Sequence, residues 1–255
     1  MSRLVSPAPL LAAIGAAGLG VVTAVLPILG DRHVTLPEHV LAFVLVFLPV
    51  SLLIYGLLVF GANFAVWKLL LWGMTAGALG AAAAYFGGRP EELAAGTTTL
   101  PLTFLFLADA FRIATATYTG LVLARPFASA GMALLVAGFV TAVDLFSVFA
   151  GPTRTLVENK SPSLDYFLLW FSTFGRPLGF CLGVSDFVCL AAFTAMAHQL
   201  SLRPLASLAL ACAATVLALA AALLLARPLP ALPFIALSFI LANIGPLLRG
   251  LLGKE

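Results

Sequence analysis

LLVAGFVTAVDLFSVFAG (134–151) and GFCLGVSDFVCLAAFTAMA (179–197) are both apolar enough to lie in a membrane, and each carries one aspartate, Asp144 and Asp186. A carboxylate at the centre of a bilayer costs about 2.5–3.5 kcal/mol on insertion scales. The chain has 10 acidic residues. Asp144, Asp186 and Asp109 are the ones that fall inside membrane-grade segments. Ionisable residues in such places are rare, and the first reading of one is a functional site.

The rest of the composition agrees with a membrane setting. Of 255 residues, 62% are hydrophobic and 9% are charged, against roughly 25% charged in soluble domains. A spanning helix needs about 20 mostly apolar residues. Segments 8–30, 40–61, 62–87, 98–124, 128–150, 179–199, 206–226 and 231–252 meet that rule. Gly61-Ala62-Asn63, Arg125-Pro126 and Arg227-Pro228 read as joints, because proline and glycine end helices on steric grounds. So do Asp31-Arg32-His33 and Gly87-Gly88-Arg89-Pro90. The expected fold is an all-α polytopic membrane protein of eight helices, or nine if 98–124 divides or 163–175 enters the bilayer. It forms one transmembrane domain over 1–255, with 1–127 as N-terminal helices and 128–255 as the helices bearing both aspartates. The first stretch is long enough to span and is read as a retained helix rather than a signal peptide.

Several classes of function are disfavoured. The net charge of +3 is scattered over loops, and no basic run or basic-aromatic patch points to nucleic acid. Cys181, Cys189 and Cys212 lie in apolar segments without a CxxC pair, so neither a disulfide framework nor a metal site is expected, and no cofactor is implied. Positive charges divide evenly between the two sides and leave the orientation open.

Helix rise sets the depth of the two aspartates. Asp144 is about 9 Å from a helix end near 150, and Asp186 about 10 Å from a helix start near 179. Both ends border loop 151–178. The carboxylates are therefore expected at matching depth on adjacent antiparallel helices. Two carboxyl groups in contact cannot both ionise cheaply, so the pair would share a proton. Such a pair can activate a water and polarise a carbonyl. The same two residues would also serve a proton relay or a cation site in a transporter.

Three strings narrow the choice. Val143-Asp144-Leu145-Phe146 is followed by Gly151-Pro152-Thr153-Arg154-Thr155-Leu156-Val157-Glu158. Leu182-Gly183-Val184-Ser185-Asp186-Phe187 surrounds the second aspartate. Pro230-Ala231-Leu232-Pro233 opens the last segment. In order and spacing this set resembles the presenilin and signal peptide peptidase family of intramembrane aspartyl proteases, with the presenilin branch nearer through residues 151–158. The family's second aspartate closes a Gly-x-Gly-Asp motif, and a Pro-Ala-Leu motif begins its ninth helix.

The resemblance implies a presenilin-like fold and an intramembrane aspartyl endopeptidase. Asp144 and Asp186 would be catalytic. Gly183, Val184, Ser185, Pro230, Ala231 and Leu232 would line the substrate path. The substrates implied are transmembrane helices or signal-peptide-like segments met in the lipid bilayer. The lack of a large soluble loop suggests action without accessory subunits. Val143 stands where the family has tyrosine, and Ser185 replaces the second motif glycine, where its hydroxyl could hydrogen-bond Asp186. A transporter using the same carboxylates, or a catalytically silent relative that binds membrane helices, is the alternative. Two further expectations concern the polar remainder. Asp109 and Arg112, three apart, should pair on one helix face. The short apolar run 166–171 should be interfacial or re-entrant.

Overall fold

The computed structural model describes residues 7–29, 35–87, 99–127, 129–151 and 167–252. The joints at 31–33 and 88–90 and the string 152–158 lie outside the described residues. Eight helices and one hairpin are seen among those described: α1 (Ala8–Val25), α2 (Leu36–Gly61), α3 (Val66–Gly87), α4 (Thr99–Ala124), α5 (Ala130–Phe149), β1 (Leu168–Thr173), β2 (Arg176–Gly183), α6 (Val184–Gln199), α7 (Pro204–Leu225) and α8 (Leu232–Leu251). Helices α1, α2, α3, α5, α7 and α8 are long and apolar enough to cross a membrane. The chain is thus a helical, polytopic membrane protein.

Local chemistry sets most of the boundaries. Thr35 starts α2 with its backbone N–H and hydroxyl both donating to Glu38 Oε2, at 2.6 and 2.8 Å. This joins a side chain three residues on to the helix start, as a capping box does. The turn after Gly61 is closed by Phe64 N–H donating to the Gly61 carbonyl at 2.9 Å. Ser129 Oγ accepts from Met132 N–H at 3.3 Å and opens α5. Helix α7 ends on Ala226 in the left-handed region, φ 49°, just before Arg227-Pro228. The stretch 99–124 is one continuous helix, not two short pieces.

Two expectations need correction. The segment 179–199 is not a helix throughout. Residues 176–183 form β2, and the helix begins only at Val184. The run around 166–171 is not a lone interfacial segment, because Leu168–Thr173 is the partner strand, β1. Leu169 pairs with Leu182, Trp170 with Cys181 and Phe171 with Phe180, antiparallel. The physical reasons are local. Pro177 pushes Arg176 towards extended backbone, and Gly179 and Gly183 weaken any helix. Gly175 supplies the positive φ of 67° that the tight turn after Phe174 uses. The all-helical expectation therefore gains a hairpin.

An isolated hairpin is marginal, and aromatic packing secures this one. Phe180 lies edge-on to Phe43 of α2 at 4.6 Å and stacks on Phe171 at 5.1 Å. Phe187 at the start of α6 stacks with Phe47 at 6.4 Å. Such pairs contribute roughly 0.5–1.5 kcal/mol each beyond burial. The hairpin tip is tied to the end of α1, where Ser172 Oγ donates to the Thr23 carbonyl at 3.1 Å and Gly175 N–H to that of Leu26 at 3.2 Å.

Packing places α6 in the interior, against α4, α7 and α8. Gly120 on α4 makes the closest of these approaches possible. A Cβ there would lie 2.6 Å from the Val188 carbonyl oxygen. Helix α5 is the opposite case. It packs on α8, and only 11% of its spanning window is buried. The two aspartate-bearing helices are thus not simple antiparallel neighbours. They meet through α8.

Candidate active site

Asp186 is the third residue of α6. Its Oδ2 accepts a hydrogen bond from Gly183 N–H at 3.1 Å. The first amides of a helix have no partner within it, and a carboxylate at this position satisfies one of them and faces the positive end of the helix dipole. With 16 residues, α6 is about 24 Å long at 1.5 Å per residue, short of a hydrocarbon core of about 30 Å. Asp186 therefore sits at a junction of strand and helix, and not a third of the way along a spanning helix as the depth argument expected.

Asp144 lies five residues before the last residue of α5. Its Oδ2 accepts from Leu232 N–H at 3.0 Å. Leu232 is the first residue of α8, so its amide too has no partner within its helix. The Pro-Ala-Leu segment thus meets Asp144 through the backbone. Pro230, Ala231 and Leu232 are all buried, and the Ala231 carbonyl accepts from Phe234 and Ile235 at 3.1 Å, starting the helix.

The structure brings these pieces together. Asp144 and Asp186 lie within electrostatic reach of each other. The Cys189 thiol, one turn after Asp186, lies within reach of both. A crevice beside Asp186 is lined by Phe47, Leu182, Phe187, Leu190, Thr215 and Ile235, and it is too tight to hold a water molecule. Among the described residues, no three His, Cys, Asp or Glu side chains gather as a metal centre would need.

The flanking residues divide. Val184 is half-buried, and its N–H donates to the Phe167 carbonyl at 2.9 Å, continuing the strand ladder. Ser185 is exposed, and Asp186 takes its hydrogen bond from Gly183 rather than from the Ser185 hydroxyl. Val143 points outward, 49% exposed. Gly183 has an ordinary φ of −68°. Its lack of a side chain matters through space, because a Cβ would lie 3.3 Å from Asp186 Oδ2 and 3.1 Å from Ser185 Oγ.

Sequence reasoning missed two neighbours. Cys189 follows Asp186 at a helical spacing of three, a signal that was available once the helix start was known. The other is the backbone of β1 beside Asp109 and Arg112. Their pair forms as expected, at 3.1 Å, and it reaches that backbone, a contact that nothing local in the sequence marks. No protein-family model matches the chain, and comparison with curated proteins finds no match.

Proposed function

We propose that this protein is an intramembrane aspartyl endopeptidase of presenilin-like type, in which Asp144 and Asp186 hydrolyse peptide bonds of transmembrane or signal-peptide-like segments. One observation carries the reading. Two carboxylates from separate apolar helices lie within electrostatic reach, each held by one backbone N–H from the two motif segments. The ordered strings around Asp144, Asp186 and Pro230-Ala231-Leu232 support it further.

In this chemistry the ionised carboxylate takes a proton from water as the water oxygen attacks the scissile carbonyl carbon. The protonated partner gives its proton to the carbonyl oxygen. The resulting gem-diol collapses: one of its hydroxyls returns a proton to the partner carboxylate, the C–N bond breaks, and the amine leaves with the proton taken from water. The pair ends with one proton again, so the cycle balances. The crevice on the Asp186 side is too tight for water, so a water must reach the pair from the half-exposed Asp144 side.

A substrate helix must unwind before its peptide bond is accessible. Strand β2 lies against β1 and the start of α6, and an extended segment would pair with the backbone near 178–183 or 228–232 by main-chain hydrogen bonds.

The deciding experiment is cleavage of a labelled single-span peptide by purified protein in liposomes, with Asp144→Asn and Asp186→Asn in parallel. The parent should cleave, and each variant should lose at least about 100-fold in rate, within the range that acid–base groups contribute. Equal cleavage by parent and both variants removes the reading. Proton-dependent solute uptake without cleavage would favour the transporter.

A further inference from the structure

Asp109 is 2% exposed and sits on α4. Its Oδ1 accepts from Arg112 Nη1 at 3.1 Å, and its Oδ2 accepts from Trp170 N–H at 3.1 Å. Arg112 Nη1 also donates to the Leu168 carbonyl at 3.1 Å. One ion pair thus supplies an acceptor and a donor to two backbone groups of β1.

The register explains why those two groups are available. In an antiparallel pair, residues alternate between exchanging both hydrogen bonds and pointing their N–H and C=O away. Val184 N–H donates to the Phe167 carbonyl, so the 167/184, 169/182 and 171/180 pairs are bonded across the hairpin. Leu168 and Trp170 are the residues of β1 that face outward, opposite Gly183 and Cys181. In the hydrocarbon region an outward backbone group must find a partner within the protein. Asp109 and Arg112 fill the place that one residue of a third strand would fill.

Gly183, the partner of Leu168, is also the N–H donor to Asp186. The chain of contacts therefore runs from the α4 ion pair through β1 to the amide that holds Asp186. We propose that Asp109 and Arg112 are positioning residues, which fix β1 and through it place Gly183 and the Asp186 carboxylate. Their effect on catalysis rests on the endopeptidase reading. Their effect on Gly183 does not.

Two double variants separate positioning from simple stability. Asp109→Leu with Arg112→Leu removes both charges together, so neither is left stranded in the interior. Asp109→Asn with Arg112→Gln keeps an acceptor for Trp170 N–H and a donor for the Leu168 carbonyl. Residue-resolved amide exchange is measured in lipid nanodiscs, and peptide cleavage alongside it.

The leucine pair should speed exchange of both the Trp170 and Gly183 amides about ten-fold, the scale of one lost hydrogen bond, with α7 and α8 amides unchanged. It should lower kcat by about 10- to 100-fold, the scale of a misplaced catalytic group, with little change in KM. The Asn/Gln pair should restore both quantities. Faster exchange at Trp170 alone overturns the proposal, as does faster exchange at both amides with kcat unchanged. If the parent cleaves no membrane peptide, the endopeptidase reading fails, and the two amide rates alone decide whether the pair positions Gly183.

Discussion

Asn243 offers a quantitative test of how α8 is held. The side chain is fully buried and makes three hydrogen bonds between helices α7 and α8 and within α8. Its Oδ1 accepts from Arg203 N–H at 3.0 Å, and its Nδ2 donates to Ser207 Oγ at 2.7 Å and to the Phe239 carbonyl at 2.9 Å. Replacing it with leucine keeps the volume close and deletes all of them. Side-chain hydrogen bonds between membrane helices average about 0.6 kcal/mol, so three give about 2 kcal/mol. The Phe239 carbonyl stays in its helix, and Ser207 Oγ keeps its donation to the Arg203 carbonyl at 2.8 Å. The Arg203 amide, at the exposed start of α7, can turn to water and adds no further penalty. The expected loss for Asn243→Leu is therefore about 2 kcal/mol, measured by reversible unfolding in mixed micelles. Ser207→Ala removes one of the three bonds and should cost about 1 kcal/mol or less. The double variant should fall short of additivity, because the residues share a bond. A loss below about 0.5 kcal/mol for Asn243→Leu, or equal losses for both single variants, would refute the bond-by-bond account.

Two further substitutions probe the surroundings of Asp186. Gly183→Ala places a methyl 3.3 Å from Asp186 Oδ2 at a backbone angle alanine adopts freely. Stability should change by less than about 1 kcal/mol, while kcat for peptide cleavage falls several-fold. Unchanged kcat would show that the carboxylate tolerates the displacement. Gly120→Ala sets a methyl 2.6 Å from the Val188 carbonyl oxygen and 2.8 Å from Ala191 Cβ, so α4 and α6 must move apart. Overpacking of this kind costs about 1–3 kcal/mol, and thermal denaturation should show it. A neutral result would mean that the α4–α6 spacing is slack.

Hydropathy and helix punctuation were enough to read the helical membrane class, the turn after Gly61 and the breaks at Arg125-Pro126 and Arg227-Pro228. These are one-dimensional properties, set by residues adjacent in the chain. The spacing of Asp109 and Arg112 likewise predicted their ion pair. The hairpin was lost because a hydropathy window counts apolar residues and is blind to backbone state. Phe180, Leu182 and Phe171 score alike in a strand or a helix. Pro177, Gly179 and the Phe174-Gly175 turn carried the opposing signal. The reach of Asp109 to Trp170 spans 61 positions, and only the folded register creates it. Asp144 meeting the amide of Leu232, 88 positions away, is of the same kind. The sequence strings suggested that the two segments belong together, but not that a backbone N–H joins them.

The loose seating of α5 has a mechanical consequence. Asp186 is fixed by a short interior helix, a hairpin and the α4 ion pair, all internal to the protein. Asp144 rides on a helix of 20 residues, about 30 Å long, whose outer surface faces the acyl chains. Tilt and height of such a helix follow the thickness of the surrounding bilayer, at fractions of a kcal/mol per ångström of mismatch. Thicker or thinner membranes would then slide one carboxylate past the other while leaving the interior unchanged. Lipid chain length becomes a control on the separation of the two acids, exerted by the solvent itself rather than by any bound ligand.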